Sequence, residues 1–206
     1  MKNILLIQSS PRGIESLSQQ VAHSIVKDLE THYPEAKVVV RDLAENPLPH
    51  VGRDFVSGIH AQPDQLTRDQ SVAVGLSDTL IAELSAADVL VLAVPMYNFG
   101  PPSTLKAWID HVVRAGRTFS FSQNGVEGLV KGKRAILVLA RGGVYSEGPY
   151  KPFDFQEPYL RAVLGFIGIT AVEVVDVAGV AVSAIGPEKA LASAITQSKQ
   201  VLAQLA

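Results

Sequence analysis

Five apolar segments alternate along the chain with longer stretches of helical spacing. The segments cover residues 4–7, 37–41, 89–94, 135–140 and 172–177. The third is a continuous apolar run without polar alternation, which is typical of a strand buried on both faces of a parallel sheet. Pro95 ends that run, and the pattern as a whole predicts strands joined by helices.

The intervening stretches carry the signals of helices. Apolar residues recur at every fourth position in 17–29 and again in 76–84, which indicates amphipathic helices. Thr67 and Gln70 have the spacing of a capping box, in which each side chain bonds to the backbone of the other residue. A last helix is predicted to open at residues 186–188, with a proline at an early position.

This alternation predicts one α/β domain over residues 1–206, built on a doubly wound, five-stranded parallel sheet. The right-handed crossover rule favours the flavodoxin-like strand order 2-1-3-4-5. Two connections, 42–66 and 144–155, are long for a compact domain, and such loops are often functional. Residues 117–122 alternate before a turn at 123–125, which fits either a small hairpin or an irregular excursion.

Composition narrows the classes of function. The 206 residues carry a formal net charge of -2 and contain no cysteine, so disulfides, thiolate metal sites and cysteine nucleophiles are excluded. A near-neutral chain argues against a nucleic-acid binder held by a basic face. The five histidines form no close pair, and no apolar run approaches the length of a membrane span. We therefore expect a cytoplasmic protein with no metal site.

Three unusual loops follow the first, third and fourth central strands. They occupy residues 9–18, 96–100 and 141–145. In a parallel sheet these loops lie at the same edge, where open α/β sheets bind ligands. Their convergence is a stronger signal than any one of them.

The first loop offers Ser10, Ser16 and Ser18 together with the free N–H groups of a helix start, which suit a phosphate. The alternative is that the serines only cap the helix. No Walker or GxGxxG phosphate motif exists in the chain.

The other two loops suit a flat ring. Tyr97, Asn98 and Phe99 could place an amide and two aromatics along a heteroaromatic ligand, or the aromatics could simply pack on the next helix. Gly142-Gly143 would let the backbone approach a ligand closely, or could form an ordinary turn. Arg141 could face an anion or solvent.

Longer motifs in these regions carry a resemblance to a known family. The sequences are SSPRGIESLS at 9–18, PMYNFGPPSTLKAWIDHVVRAG at 95–116 and ARGG at 140–143. Together they resemble the FMN-dependent NADH:azoreductase family of flavodoxin-like quinone reductases. Further segments at 41–49, 76–84, 118–133 and 164–170 extend the resemblance over almost the whole chain.

The resemblance implies an FMN enzyme in which NADH or NADPH delivers hydride and a quinone or azo compound then takes two electrons, in ping-pong order. It also implies a homodimer. No side chain is expected to be an obligate catalyst. The implied cofactor residues are Ser10, Ser16, Leu17, Ser18, Met96, Tyr97, Asn98, Phe99, Ala140, Arg141, Gly142 and Gly143.

Phe121, Phe166 and Tyr145 are the expected substrate-site residues, with core packing as the alternative for the two phenylalanines. Two rival interpretations stay open. The chain could be a flavodoxin-type electron carrier without its own substrate, or an α/β domain that has lost its flavin.

Overall fold

The computed structural model describes residues 2–123 and 125–204, and a five-stranded parallel sheet lies at its centre. The central strands are β1 (Asn3–Gln8), β2 (Lys37–Asp42), β3 (Val89–Pro95), β6 (Arg134–Ala140) and β7 (Ala171–Val177). Their order is β2-β1-β3-β6-β7. Counted within the sheet this is 2-1-3-4-5, so the predicted flavodoxin-like arrangement of a parallel sheet is confirmed.

Helices cover both faces of the sheet. Their bounds are α1 (Leu17–His32), α2 (Arg53–Gly58), α3 (Arg68–Ala86), α4 (Ser103–Val112), α5 (Glu157–Ile167) and α6 (Gly186–Ala203). The predicted capping box at Thr67 and Gln70 is present at the start of α3. Over residues 2–123 and 125–204, no helix has the length and apolar character needed to cross a membrane.

The alternation of β3 divides the interior into two cores. Leu90, Leu92 and Val94 join the core under α3, α4 and α5, while Val89 and Val91 join the core under α1 and α6. Successive strand residues point to opposite faces. A continuously apolar strand is therefore what a sheet with helices on both sides requires.

The two long connections contain more regular structure than their composition indicated. Helix α2 and a 3₁₀ turn at Pro63–Gln65 interrupt the segment 42–66, and a second 3₁₀ turn, Gly148–Phe153, lies within 144–155. Helix α4 ends at Val112, although a glycine typical of a helix C-terminus follows only at position 116. The Thr118 hydroxyl donates to the Val112 carbonyl at 2.7 Å, which turns the chain away from the helix.

The alternating segment after α4 forms a hairpin rather than an irregular excursion. Strands β4 (Phe119–Ser122) and β5 (Gly125–Gly128) pair antiparallel; the predicted turn includes Asn124, which lies outside the described residues. The base of the hairpin packs against the end of α5, where Gly168 is left-handed with φ 104° and Val130 N–H donates to the Ile167 carbonyl at 2.8 Å. A side chain at Gly128 would collide with the backbone of Ile167 and Gly168.

We expect Gly128→Ala to lower the free energy of unfolding by about 1–3 kcal/mol, because backbone atoms cannot move aside as a flexible side chain can. Gly75→Ala is the matched control. Gly75 is exposed within α3 with open space around it, so this change should stabilise the protein by roughly 0.5–1 kcal/mol. Urea unfolding measures both, and equal effects of the two substitutions would contradict the close packing at Gly128.

Candidate functional site

The three predicted loops line a single cleft at the carboxyl edge of the sheet. Its volume is about 190 Å³. Its walls consist of Ser10, Arg12, Ser16, Leu17, Pro95, Met96, Tyr97, Ala140, Arg141, Gly142 and Val180. The convergence expected from parallel strands is therefore present, and all three loops contribute.

Most of the predicted cofactor residues lie on this wall. Four of them lie just beyond it: Ser18, Asn98, Phe99 and Gly143. Arg12, Pro95 and Val180 line the cleft but were missed by the sequence analysis. Arg12 had a usable signal, since it is a cation inside a hydroxyl-rich loop, whereas Pro95 and Val180 had none.

The first loop leaves hydrogen-bond donors free at the start of α1. The Ser16 side chain makes no capping bond, and its hydroxyl lies 3.0 Å from that of Ser18 instead. The backbone N–H groups of Leu17, Ser18 and Gln19 consequently have no acceptor among the described residues. The alternative that Ser16 caps the helix is wrong, and the helix start is available to an anion.

The second loop is a tight turn with an unusual backbone. Tyr97 and Gly100 exchange N–H to carbonyl bonds of 2.9 and 3.1 Å, and the two residues between them have positive φ, 47° at Asn98 and 73° at Phe99. Asparagine tolerates this region, but for phenylalanine it costs on the order of 1–3 kcal/mol. Strain of this kind is concentrated at functional sites.

Phe99 is held in that conformation by the segment 144–155 rather than by the next helix. Its ring lies 5.5 Å from that of Phe153, and its carbonyl accepts from the N–H of Phe155 at 3.1 Å. The N–H groups of Asn98 and Phe99 have no acceptor in the described part of the chain. Tyr97 lines the cleft, and the ring contacts of Phe99 among the described residues are with Tyr145 and Phe153.

The backbone of the third loop is fixed by hydrogen bonds to residues 179–181. The carbonyls of Arg141, Gly142 and Gly143 accept from the N–H groups of residues 179–181 at 2.9–3.2 Å. The N–H groups of Gly142 and Gly143 have no acceptor within the described residues. This loop therefore also offers free donors at a fixed position.

The side chain of Arg141 does not face solvent, and the anions that it faces are carboxylates of the chain itself. It is fully buried, and its guanidinium lies 3.2 Å from Asp154, 3.4 Å from Glu157 and 3.7 Å from Asp176. Burial raises the pKa of the Asp176 carboxyl, and Arg141 opposes that rise. Only the backbone of Arg141 is left to contact a ligand.

Residues 154–157, which we call the clamp segment, join the second and third loops. The side chain of Gln156 accepts from Arg141 Nε at 3.2 Å and donates to the Val94 carbonyl at 3.2 Å. In the same segment, the backbone N–H of Phe155 donates to the Phe99 carbonyl. The sequence analysis missed this segment, because a glutamine beside a helix start carries no signal of a contact 62 residues away.

The expected substrate residues fall into two aromatic groups. Phe121 is 72% exposed at the hairpin, and it and Phe166 contact Phe119 with ring centroids 5.4 and 4.7 Å apart. Tyr145 instead contacts Phe99 at 6.3 Å. Among the described residues no ring contact links the two groups. Core packing is thus wrong for Phe121, and Phe166 is 40% exposed.

The cleft therefore has two chemically distinct ends. One is a helix start with buried serine hydroxyls and free N–H groups, which suits a phosphate. The other is a slot between two rigid turns with free N–H groups on both sides, which suits the polar edge of a planar ring. These two sets of donors match the two polar parts of a phosphorylated flavin such as FMN, a dianionic phosphate and a planar ring with a polar edge.

Comparison with known proteins places the chain in a family. Residues 2–202 match the family described as "Flavodoxin-like fold", and the chain belongs to it. The chain is 45% identical over 201 residues to the FMN-dependent NADH:quinone oxidoreductase of Mesorhizobium japonicum, covering 98% of this chain and 96% of the relative. It is 51% identical over 185 residues to the protein of the same name from Beijerinckia indica, covering 87% and 89%.

A solved structure is similar over the whole chain. It is an FMN-dependent NADH-azoreductase from Bacillus anthracis in complex with FMN, with a TM-score of 0.89, 25% identity and 100% of both chains covered. The resemblance drawn from the loop motifs is thereby confirmed.

The clamp segment can be tested through Gln156→Leu. This change removes the side-chain donor to the Val94 carbonyl and leaves the buried Arg141 Nε without its Gln156 acceptor, so we expect a loss of about 1–3 kcal/mol of unfolding free energy. It should also accelerate hydrogen exchange in residues 96–100 and 141–143, because both loops lose their shared anchor.

Ser77→Ala is the control, since Ser77 is equally buried and donates to the His111 carbonyl at 2.6 Å outside the cleft. It should cost stability without exposing the two loops to exchange. If Gln156→Leu gave the same hydrogen-exchange pattern as Ser77→Ala, the proposal that the clamp segment stabilises the two loops would be contradicted.

Proposed function

We propose that this chain is an FMN-dependent NAD(P)H:quinone oxidoreductase with azoreductase activity, formed as a single FMN-binding domain. The observation that carries the proposal is the cleft with free N–H donors at both its helix end and its two-turn end. The names of the relatives favour NADH as electron donor and quinones as acceptors, and those of the structural neighbours favour azo compounds.

The first loop would hold the phosphate. Ser10 and Ser16 supply hydroxyls on the wall of the cleft, and Leu17 and Ser18 supply backbone N–H groups at the helix start. Since the helix dipole also favours negative charge at that end, these donors would stabilise a dianion.

The second and third loops would hold the ring. Residues 96–99 would line one side of it, and residues 140–143 would close the other, with Arg141 acting through its backbone alone. FMN, when bound, supplies two-electron hydride chemistry. The N–H groups of Gly142 and Gly143 would stabilise negative charge at the polar edge of the ring, as preorganised donors do. Water can supply the protons.

An electron carrier is the weaker alternative. A carrier needs only an exposed flavin edge, whereas this chain exposes Phe99 of the second loop together with Tyr150 and Phe155 of the adjoining segment 144–155. Relatives named as oxidoreductases cover nearly the whole chain. Both observations favour an enzyme that receives its own substrate.

We also propose a homodimer. Phe121 and Phe166 form one aromatic group and Tyr145 belongs to another, and exposed apolar groups of this kind mark interaction surfaces. A second copy of the chain would bring Phe121 of one protomer toward the flavin site of the other, so that all three residues could wall one substrate site.

The experiment that tests the proposal uses purified protein loaded with FMN. We expect it to retain visible flavin absorbance after gel filtration and to oxidise NADH with a quinone and with an azo dye. Flavin retention without turnover of either acceptor would point to a carrier. A protein that retains no flavin would overturn the proposal itself.

Asn98 allows a sharper test of the second loop. Asn98→Gly keeps the positive φ and removes only the amide, so FMN affinity should fall roughly five- to tenfold through one lost hydrogen bond. Asn98→Ala also strains the turn and should lower affinity further and reduce stability by about 1 kcal/mol. Flavin fluorescence titration measures the affinities. If Asn98→Gly bound FMN as tightly as the wild-type protein does, the Asn98 amide would not be a partner of the flavin ring.

A further inference from the structure

Among the described residues that line the cleft, Arg12 alone has a cationic side chain exposed to solvent. It lies beside Ser10 and Ser16, and its side chain is 64% exposed. The other arginine on the wall, Arg141, is buried and committed to carboxylates. Among the described lining residues, Arg12 therefore supplies the mobile positive charge.

The charge of Arg12 is only weakly engaged by the chain itself. Its nearest carboxylate is Glu15, 3.9 Å away and itself 76% exposed. The two residues lie on one 3₁₀ turn, where Glu15 N–H donates to the Arg12 carbonyl at 3.2 Å. An ion pair this long and this exposed contributes little, so a stronger anion can displace Glu15.

A phosphate monoester presents such an anion, with a charge of about -1.5 to -2 at pH 7. The serine hydroxyls and helix N–H groups around it are neutral donors. A guanidinium, by contrast, can form charge-assisted, bidentate bonds to phosphate oxygens. The first loop therefore has room for one charged contact in addition to its neutral ones.

We propose that Arg12 is a specificity-determining residue that selects the phosphorylated flavin over the unphosphorylated one, and that Glu15 competes with the phosphate for it. The proposal rests on the proposed FMN function. In the free protein Arg12 pairs loosely with Glu15, and in the complex it turns to the phosphate. Replacing the two residues should accordingly have opposite effects on affinity.

The test compares FMN with riboflavin, which has the same ring but no phosphate. Arg12→Met should weaken FMN binding on the order of fivefold, as expected for one exposed ion pair. Glu15→Gln should tighten FMN binding by roughly two- to threefold, because the competitor loses its charge. Riboflavin affinity should change by less than about twofold in both variants.

Lys27→Met is the matched control, since it removes the same charge from an exposed site on α1. It lies about 15 Å further along the helix than the first loop, beyond the screening length of about 10 Å at 0.1 M salt. It should leave both affinities unchanged. Arg12→Lys should recover part of the FMN affinity, which a packing role for the arginine would not explain.

The outcomes separate the two proposals. A wild-type protein that binds FMN, combined with an FMN-to-riboflavin ratio that Arg12→Met leaves unchanged, overturns the role of Arg12 alone. Equal losses for both flavins would assign Arg12 to the shape of the loop rather than to the phosphate, and would also overturn it. A wild-type protein that binds neither flavin overturns the proposed function and this inference with it.

Discussion

The buried guanidinium of Arg141 is the constraint on which the ligand edge depends. Taking such a charge out of water costs several kcal/mol unless partners surround it, and here Asp154, Glu157 and Asp176 do so. These partners come from the clamp segment and from β7, so satisfying one charge fixes the third loop against two other elements. Removing any contact would leave a buried charge poorly compensated. That penalty keeps the loop in place in the absence of a ligand.

The same constraint explains how the second loop keeps its strained turn. Phe99 has a positive φ, and the energy for that conformation must come from contacts that the turn does not make by itself. They come from the ring of Phe153 and from the clamp segment, which Arg141 anchors through Gln156. The backbone N–H groups of both turns are thus held in place without a ligand. Preorganisation of this kind reduces the entropy lost on binding.

The sequence predicted those features that depend on local periodicity and on the rules of parallel sheets. The apolar run of β3, the Thr67 capping box and the convergence of three loops all follow from residues close together in the chain. Gln156 could not be found in this way, because its role comes from a carbonyl 62 residues away. The burial of Arg141 could not be predicted either, because the local sequence of an arginine after a strand is the same whether its side chain faces water or carboxylates.

The two ends of the cleft differ in their charge. At the first loop, free helix N–H groups and the exposed Arg12 create a positive end. Behind the third loop, one guanidinium faces three carboxylates. Burial raises the pKa of Asp176, Arg141 lowers it, and the carboxylates of Glu157 and Asp154 add to the rise. A ligand with a dianionic tail and a neutral ring is therefore oriented with its tail at α1. Backbone N–H groups serve the ring end, since they can favour developing negative charge there without adding another buried cation.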